Sequence, residues 1–359
     1  MITPLGPAKG SRRGSRRGSR QRATPLLNSK RAPGATGLSS QSDDEHTYLE
    51  LRSSTEPIGR STSDLPLTAR DVAILMALDQ YRYLDREQIE QLFFDGRRRS
   101  QLKLRRLALD GLIIAWRSVL QPGLRPRPSV HLLSKRGAIR LSREREIDPR
   151  SAILLAWQAR TRAYHLVHDL EANGFFVGLA VATRSREGEG LYHWVGGPGC
   201  RRGAKESHDR MPISDGWGRF MLPDRELLFD LEWDRGTEHP HRLRRKAMAY
   251  VDHFRRRRNA SLHHVFFVVP TERREAEVQR VARAAMPARG ECCRIWTTST
   301  DRLRSEGPLA PIWQEVSPQS SGRVGLWRMP GLPRSARPAE DCIGKPGWWE
   351  RRPGGGEGA

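Results

Sequence analysis

The sequence predicts an α/β (α+β) protein built as a small helical module closed by a hairpin, followed by a larger mixed-sheet module. Three observations predict this. Between about residues 66 and 110, apolar residues recur at helical spacing in three short stretches, each with its own start or stop signal. Two short β-rich runs follow Gly111. From about residue 150 to 300, helical and strand patterns then alternate, which calls for helices layered on a sheet.

In the first module, 66–141, Thr68 is a plausible N-cap before Val72, Ile74, Leu75 and Leu78. Asp85 opens a second helix, with Gln88 in capping-box position and Ile89, Leu92 and Phe93 as its apolar stripe. Asp95-Gly96 breaks the chain. A third helix spans about Arg98 to Asp110, with Leu102, Leu104, Leu107 and Leu109 expected inward or partly so. Gly111 stops it, and strands are expected at Leu112–Trp116 and Val130–Leu133 around a Pro/Arg-rich loop. Three helices and a hairpin in this order are those of a winged helix-turn-helix domain. The third helix would be its reading element, with Arg97, Arg98, Arg99, Gln101, Lys103, Arg105 and Arg106 as donors. Arg125 and Arg127 would sit in the wing, near phosphates or the minor groove. A protein-contact module is the other use of this fold.

The second module, 150–300, begins with a long helix through Ile153, Leu154, Trp157 and Leu170, with Asn173-Gly174 as its expected C-cap. Strands are expected at Phe175–Val181 and Leu191–Val195, and a loop from Gly196 to Asp215. An acidic strand around Leu227–Asp234 comes next, then a helix over Pro240–Arg256 and a buried strand at His264–Val269. A helix over Thr271–Ala285 and a strand near Cys293–Thr297 complete the series. The ends differ in composition. Residues 1–65 are rich in Ser, Arg, Gly and Pro, and read as a disordered basic arm that cannot bury enough apolar surface to fold. Residues 318–359 read as a disordered tail, with Trp348-Trp349 left unassigned.

Charge narrows the function classes. The formal net charge is +22, which predicts an acidic polymer as partner, here double-stranded DNA. No stretch reaches the ~18 apolar residues of a membrane span, and no apolar core follows the basic start, so the expected compartment is the cytoplasm. Cys200, Cys292, Cys293 and Cys342 contain no C-x-x-C pair, which argues against a zinc ribbon or a disulfide framework. No Gly-Lys-Ser/Thr phosphate loop is present, which disfavours ATP hydrolysis.

The acidic strand carries the chemistry. Leu227, Phe229, Leu231 and Trp233 alternate with Leu228, Asp230, Glu232 and Asp234, giving an apolar face and a face with three acids. Three neighbouring carboxylates repel unless water or a cation compensates them. Pro223-Asp224 marks a turn that would bring a fourth acid towards the same edge. Such a set suits a hard ion such as Mg²⁺, which takes oxygen ligands and usually one or two protein carboxylates. A solvated face, or acids paired with arginine, would look the same in sequence. His165 and His168, one helical turn apart, either line the helix–sheet interface or approach the acids.

Helix, three strands, helix, strand, with Pro-Asp before one strand and Glu-x-Asp at its end, resembles the PD-(D/E)xK restriction-endonuclease-like fold. That resemblance implies an Asp and a Glu holding Mg²⁺, corresponding to Asp224 and Glu232. The family lysine, two residues after the Glu, is replaced by Asp234. Some members carry the lysine on the next helix, where Lys246 stands here; the substitution equally fits an inactive relative. The implied catalytic set is Asp224, Glu232, Asp234 and Lys246, with the Trp233 carbonyl as a candidate third ligand.

The chain also resembles the replication-relaxation family of plasmids and other mobile elements. The matching residues are Leu67 to Asp71, Leu107 to Leu112, His165, Pro223-Asp224, Glu232 to Thr237 and Lys246 to Tyr250. This resemblance implies a DNA-binding protein acting in replication and DNA relaxation, and the nuclease-like resemblance adds Mg²⁺-dependent nicking as its means. The alternative it leaves open is a non-catalytic replication accessory factor or transcriptional regulator with a degenerate nuclease fold.

Overall fold

A first strand, β1 (Arg52–Ser53), lies inside the segment expected to be a disordered arm and pairs antiparallel with a strand of the first module. The structure, a computed structural model, describes residues 52–53, 66–117, 128–146, 166–206, 212–256, 262–285, 293–317 and 322–350, with a few isolated positions. All belong to one unit, Ser42–Ala359. The rest of the basic arm and the loop carrying Arg125 and Arg127 lie outside the described residues.

Helix α1 (Ala69–Tyr81) starts at Thr68, whose side chain accepts from Asp71 N while Asp71 accepts in return, a reciprocal capping box. Strand β2 (Leu84–Asp85) leads into α2 (Arg86–Phe93), capped in the same way by Asp85 and Gln88. Helix α3 (Arg97–Leu109) ends at Gly111, with φ 69°. There Leu112 N donates to Leu107 O and Gly111 N to Ala108 O. This crossed pair is a Schellman cap, and it needs a residue that tolerates the left-handed conformation. Strands β3 (Ile113–Arg117) and β4 (Val130–Leu133) form a hairpin, and the small sheet runs β1-β3-β4-β2. Helix α4 (Lys135–Glu144) follows, with Ser134 as N-cap.

Helix α5 (Leu166–Ala182) opens the second layer. It corrects two expectations. Phe175–Val181 is helix rather than strand, and Asn173-Gly174 is no stop signal. Helix α5 is buried nearly all round, so its apolar residues show neither a clean helical stripe nor strand alternation. Asn173 Nδ2 donates to the carbonyls of Tyr81 and Tyr83, and a Cβ on Gly174 would stand 3.4 Å from the Gln88 side chain. Both residues are there because α1 and α2 press against α5.

Strands β5 (Gly190–Gly196), β6 (Gly216–Met221) and β7 (Arg225–Trp233) form an antiparallel meander, with α6 (Gly197–Glu206) in the stretch expected to be a loop. Helix α7 (Pro240–Arg256) crosses over to β8 (His263–Val269), which lies parallel to β7. Helix α8 (Glu272–Arg283) crosses to β9 (Cys293–Ser299), parallel to β8. After α9 (Thr300–Glu306) come β10 (Trp313–Glu315) and β11 (Arg323–Val324), giving the order β11-β10-β9-β8-β7-β6-β5. Helix α5 covers one face through Phe175, Phe176, Phe229, Trp194 and Phe266; α7 and α8 cover the other through Leu243, Tyr250, Val265, Phe267 and Val278. This is a mixed α/β architecture with both sheet faces covered.

The two modules share a core. Ile74, Leu78 and Phe93 belong to the same buried cluster as Phe176, Trp194 and Trp313, and Tyr81 stacks on Trp194 at 3.5 Å. The expectation of a disordered tail fails for residues 322–350. Strand β12 (Leu332–Pro333) pairs with Glu226 and Arg225 at the start of β7, and Ile343 N donates to Leu191 O. Trp348 packs on Phe93 with ring centroids 5.5 Å apart, and its indole N–H donates to Leu92 O. Composition concealed this segment because its few anchors are single large residues spaced along polar chain.

Candidate active site where the first parallel strand ends

Strand β7 is buried along both faces, so its acids are not a solvated row: Asp230, Glu232 and Asp234 are all buried. A buried carboxylate is costly without partners, and each has its own. Asp230 Oδ2 lies 2.8 Å from His263 Nε2. Asp234 accepts from Arg274 Nε at 2.6 Å and from Gly236 N at 2.8 Å. Gly236 needs its φ of 80°, so Asp234 shapes the β7–α7 turn, with Arg274 clamping it from α8. Its carboxylate is engaged by Arg274 and by the backbone of the turn.

Glu232, 2% exposed, is held differently. Its Oε2 accepts from Lys246 Nζ at 2.8 Å and its Oε1 from the Tyr250 hydroxyl at 2.6 Å. Lys246 and Tyr250 are one turn apart on α7, and the crossover lays that face on β7. Glu232 and Lys246, both in the set the nuclease-like resemblance implies, are thus in direct contact. Lys246 also meets Glu238 Oε1 at 2.9 Å and stays 35% exposed, so the site opens to solvent here.

Asp224 does not join them. It sits in the β6–β7 turn, 69% exposed and paired with Arg225. Glu232 lies at the other end of β7, and eight residues of extended chain span roughly 26 Å. The acid that does reach Glu232 is Asp215. Gly216 is opposite Leu231, so Asp215 and Glu232, one residue further out on each strand, face each other. Asp215 N donates to Leu231 O, and its Oδ2 accepts from Trp233 N at 2.9 Å. Among the described residues, Asp215 Oδ1 takes no hydrogen bond.

The signal for Asp215 was hidden by the strand it precedes. Gly-Trp-Gly-Arg-Phe-Met does not read as β, yet Gly216 and Gly218 lie beneath aromatic rings. A Cβ there would stand 2.4 Å from Phe176 and 2.3 Å from Phe229.

His168, on α5, completes the group; His165 lies outside the described residues. His168 Nε2 is 3.0 Å from Trp233 O and 3.3 Å from Asp215 Oδ2. The Trp233 carbonyl, the candidate third ligand, thus lies against His168. Burial alone would lower the His168 pKa, but hydrogen bonds and charge from Asp169 and Asp215 reverse that and raise it to about 10. The imidazolium in turn holds Asp215 below the usual carboxylate range, against the effect of burial. Burial pushes Glu232 up to about 7; the nearby Asp215 charge adds to this, and Lys246 and Tyr250 oppose it. Lys246 would be lowered by burial, but Glu232 and Asp215 raise it instead, so it remains an ammonium. Behind His168, Asp169 takes a buried ion pair from Arg82 at 2.9 Å.

Among the described residues no group of three or more His, Cys, Asp or Glu is placed to hold a metal. The oxygen donors facing one another are two, Asp215 and Glu232. Of the candidate DNA contacts, Arg97, Arg98, Arg99, Gln101, Arg105 and Arg106 are exposed on α3. Lys103 is half-buried, and its Nζ pairs with Asp71 at 2.8 Å and ties α3 to α1. Leu102 and Leu109, expected inward, are 59% and 64% exposed between the arginines. No helix among the described residues is long and apolar enough to cross a membrane.

No curated protein matches the chain. A family model described as replication-relaxation matches residues 75–269, more than half of the sequence, from α1 through β8 and including every member of the acidic group. The chain belongs to the replication-relaxation family.

Proposed function

We propose that this protein binds duplex DNA through a winged helix formed by α1–α3 and the β3–β4 hairpin, and cuts a phosphodiester bond at the Asp215–Glu232–Lys246 group in the service of replication and DNA relaxation. One observation carries the reading: a buried glutamate bonded to a lysine, beside a second carboxylate on the neighbouring strand. The group resembles the donor set of a PD-(D/E)xK site, with Asp215 in place of Asp224 and the lysine supplied by α7. Setting aside α6, which is inserted between β5 and β6, the αβββαβ order from α5 to β8 supports it.

The residues fit one hard divalent ion. Two carboxylates, with one Asp215 oxygen that takes no hydrogen bond among the described residues, match the one or two protein ligands that Mg²⁺ usually takes, with water filling the remaining positions. When bound, Mg²⁺ supplies a water of lowered pKa and offsets charge on the phosphate. The Tyr250 hydroxyl fixes the Glu232 carboxylate, and the His168 imidazolium fixes Asp215. Lys246, partly open to solvent, is placed to orient the attacking water or to meet developing negative charge. Arg98, Arg99 and Arg105 on α3 supply phosphate or base-edge contacts.

A second reading, a non-catalytic DNA-binding factor with a degenerate nuclease fold, is favoured by one observation: both Glu232 oxygens already accept hydrogen bonds. Supercoiled plasmid incubated with Mg²⁺ or Mn²⁺ separates the two. The first reading expects nicked circles from the wild type and none from Glu232→Gln, with DNA affinity retained by both. No product from either favours the second, and equal product from both removes Glu232 from the cleavage site.

A further inference from the structure

Helix α7 carries a second feature that its packing does not use. Its first turns read Pro-His-Arg-Leu-Arg-Arg-Lys, with no acidic residue in the first turn. Arg242, Arg244 and Arg245 are exposed, and none has an ion pair among the described residues. Cations at a helix N-terminus oppose the helix dipole, and Arg242 and Arg245, at i and i+3, repel one another. Folding therefore gains nothing from this arrangement. The next helix in the same layer shows the contrast: α8 has Glu272 and Glu275 in its first turn, and its Arg274 is fully paired. Arg242 stands one turn before Lys246, about 6 Å along the axis. Lys246 itself is bonded to Glu232. An anion held by the exposed arginines would lie beside the acidic group.

We propose that Arg242 and Arg245 form a phosphate-binding ridge that grips the DNA backbone next to the cleavage site, separately from α3. The proposal rests on the DNA-binding reading given above. The ridge contributes sequence-independent, salt-sensitive affinity, because arginines at phosphates release condensed counterions. Met248 on the same helix is 42% exposed, and within the helix no acidic residue follows these arginines until Asp252; Glu238, just before the helix, is taken by Lys246.

The test is the salt dependence of binding by the full chain to a fluorescent duplex, read by anisotropy between 50 and 300 mM NaCl, a range of about sixfold chosen around the usual salt window. Arg242→Gln/Arg245→Gln is compared with Arg98→Gln/Arg99→Gln and with wild type. The ridge predicts that the α7 variant lowers the slope of log affinity against log salt by about 1.8, roughly 0.9 per lost phosphate contact. It also predicts an affinity loss of about tenfold or more at low salt, with an unchanged melting temperature. The α3 variant should show its own loss, and combining the two pairs should add them. Wild-type slope and affinity in the α7 variant, while the α3 variant weakens, would overturn the ridge and leave the DNA-binding reading standing. A wild-type protein that does not bind the duplex at all would remove both.

Discussion

A buried ionisable side chain must find its partner or give up its charge, and His264 shows the second outcome. Its Nδ1 accepts from the Trp296 indole N–H at 2.9 Å, so the other nitrogen carries the proton and donates to Pro330 O at 2.8 Å. Burial lowers its pKa to about 3. Because the folded-state value lies below the unfolded one, the contribution is complete above about pH 6.5 and is lost as pH falls towards 3. Thermal or urea unfolding between pH 7 and 4.5 is expected to show this. His264→Gln should flatten the decline by up to about 1.4 kcal/mol per pH unit. An identical slope in wild type and variant would show that His264 is not held neutral. The acidic strand illustrates the same rule. Its alternation was legible in the sequence, but the fate of each acid was not. His263, Arg274, Lys246 and Tyr250 come from elements far along the chain or across a crossover, and no local pattern names them.

At the scale of elements, local signals were the dependable ones. Thr68, Asp85 and Gly111 set helix ends where the sequence placed them, because a cap is decided within a few residues. Elements whose shape depends on distant packing were misread or missed: α5 was read as helix plus strand, α6 as loop, and β6 was given no element. The glycines of β6 make room for Phe176 and Phe229, so the strand that carries Asp215 was invisible without its neighbours. Helix α3 separates binding from stability in a testable way. Lys103→Ala strips Asp71 of its ammonium and should cost about 1.5–3 kcal/mol in urea unfolding. Arg99→Ala, on the exposed face, should leave unfolding within about 0.5 kcal/mol while weakening DNA binding. The reverse pattern would mean that Lys103 faces the nucleic acid and Arg99 the core.

For the whole molecule, the shared core and the returning C-terminal segment make one cooperative unit of what the sequence divides in two. Trp348 bridges them, joining the end of the chain to α2. Trp348→Ala is expected to cost about 3–5 kcal/mol, with helical and sheet signals still unfolding in a single transition. Two separated transitions in the wild type would contradict a common core. The same assembly brings α5, β6, β7 and α7 together, so Asp215, Glu232, Lys246 and His168 meet although they span much of the second module. The central claim is that this group, and not the Asp224 turn, cuts DNA. The most direct measurement is the Mg²⁺-dependent nicking rate of Asp215→Asn and Asp224→Asn beside wild type. A loss of about a hundredfold or more in the first, of the size expected when a positioned charged group is removed, with the second within about twofold of wild type, is the predicted result. Nicking that survives in Asp215→Asn and disappears in Asp224→Asn would contradict it.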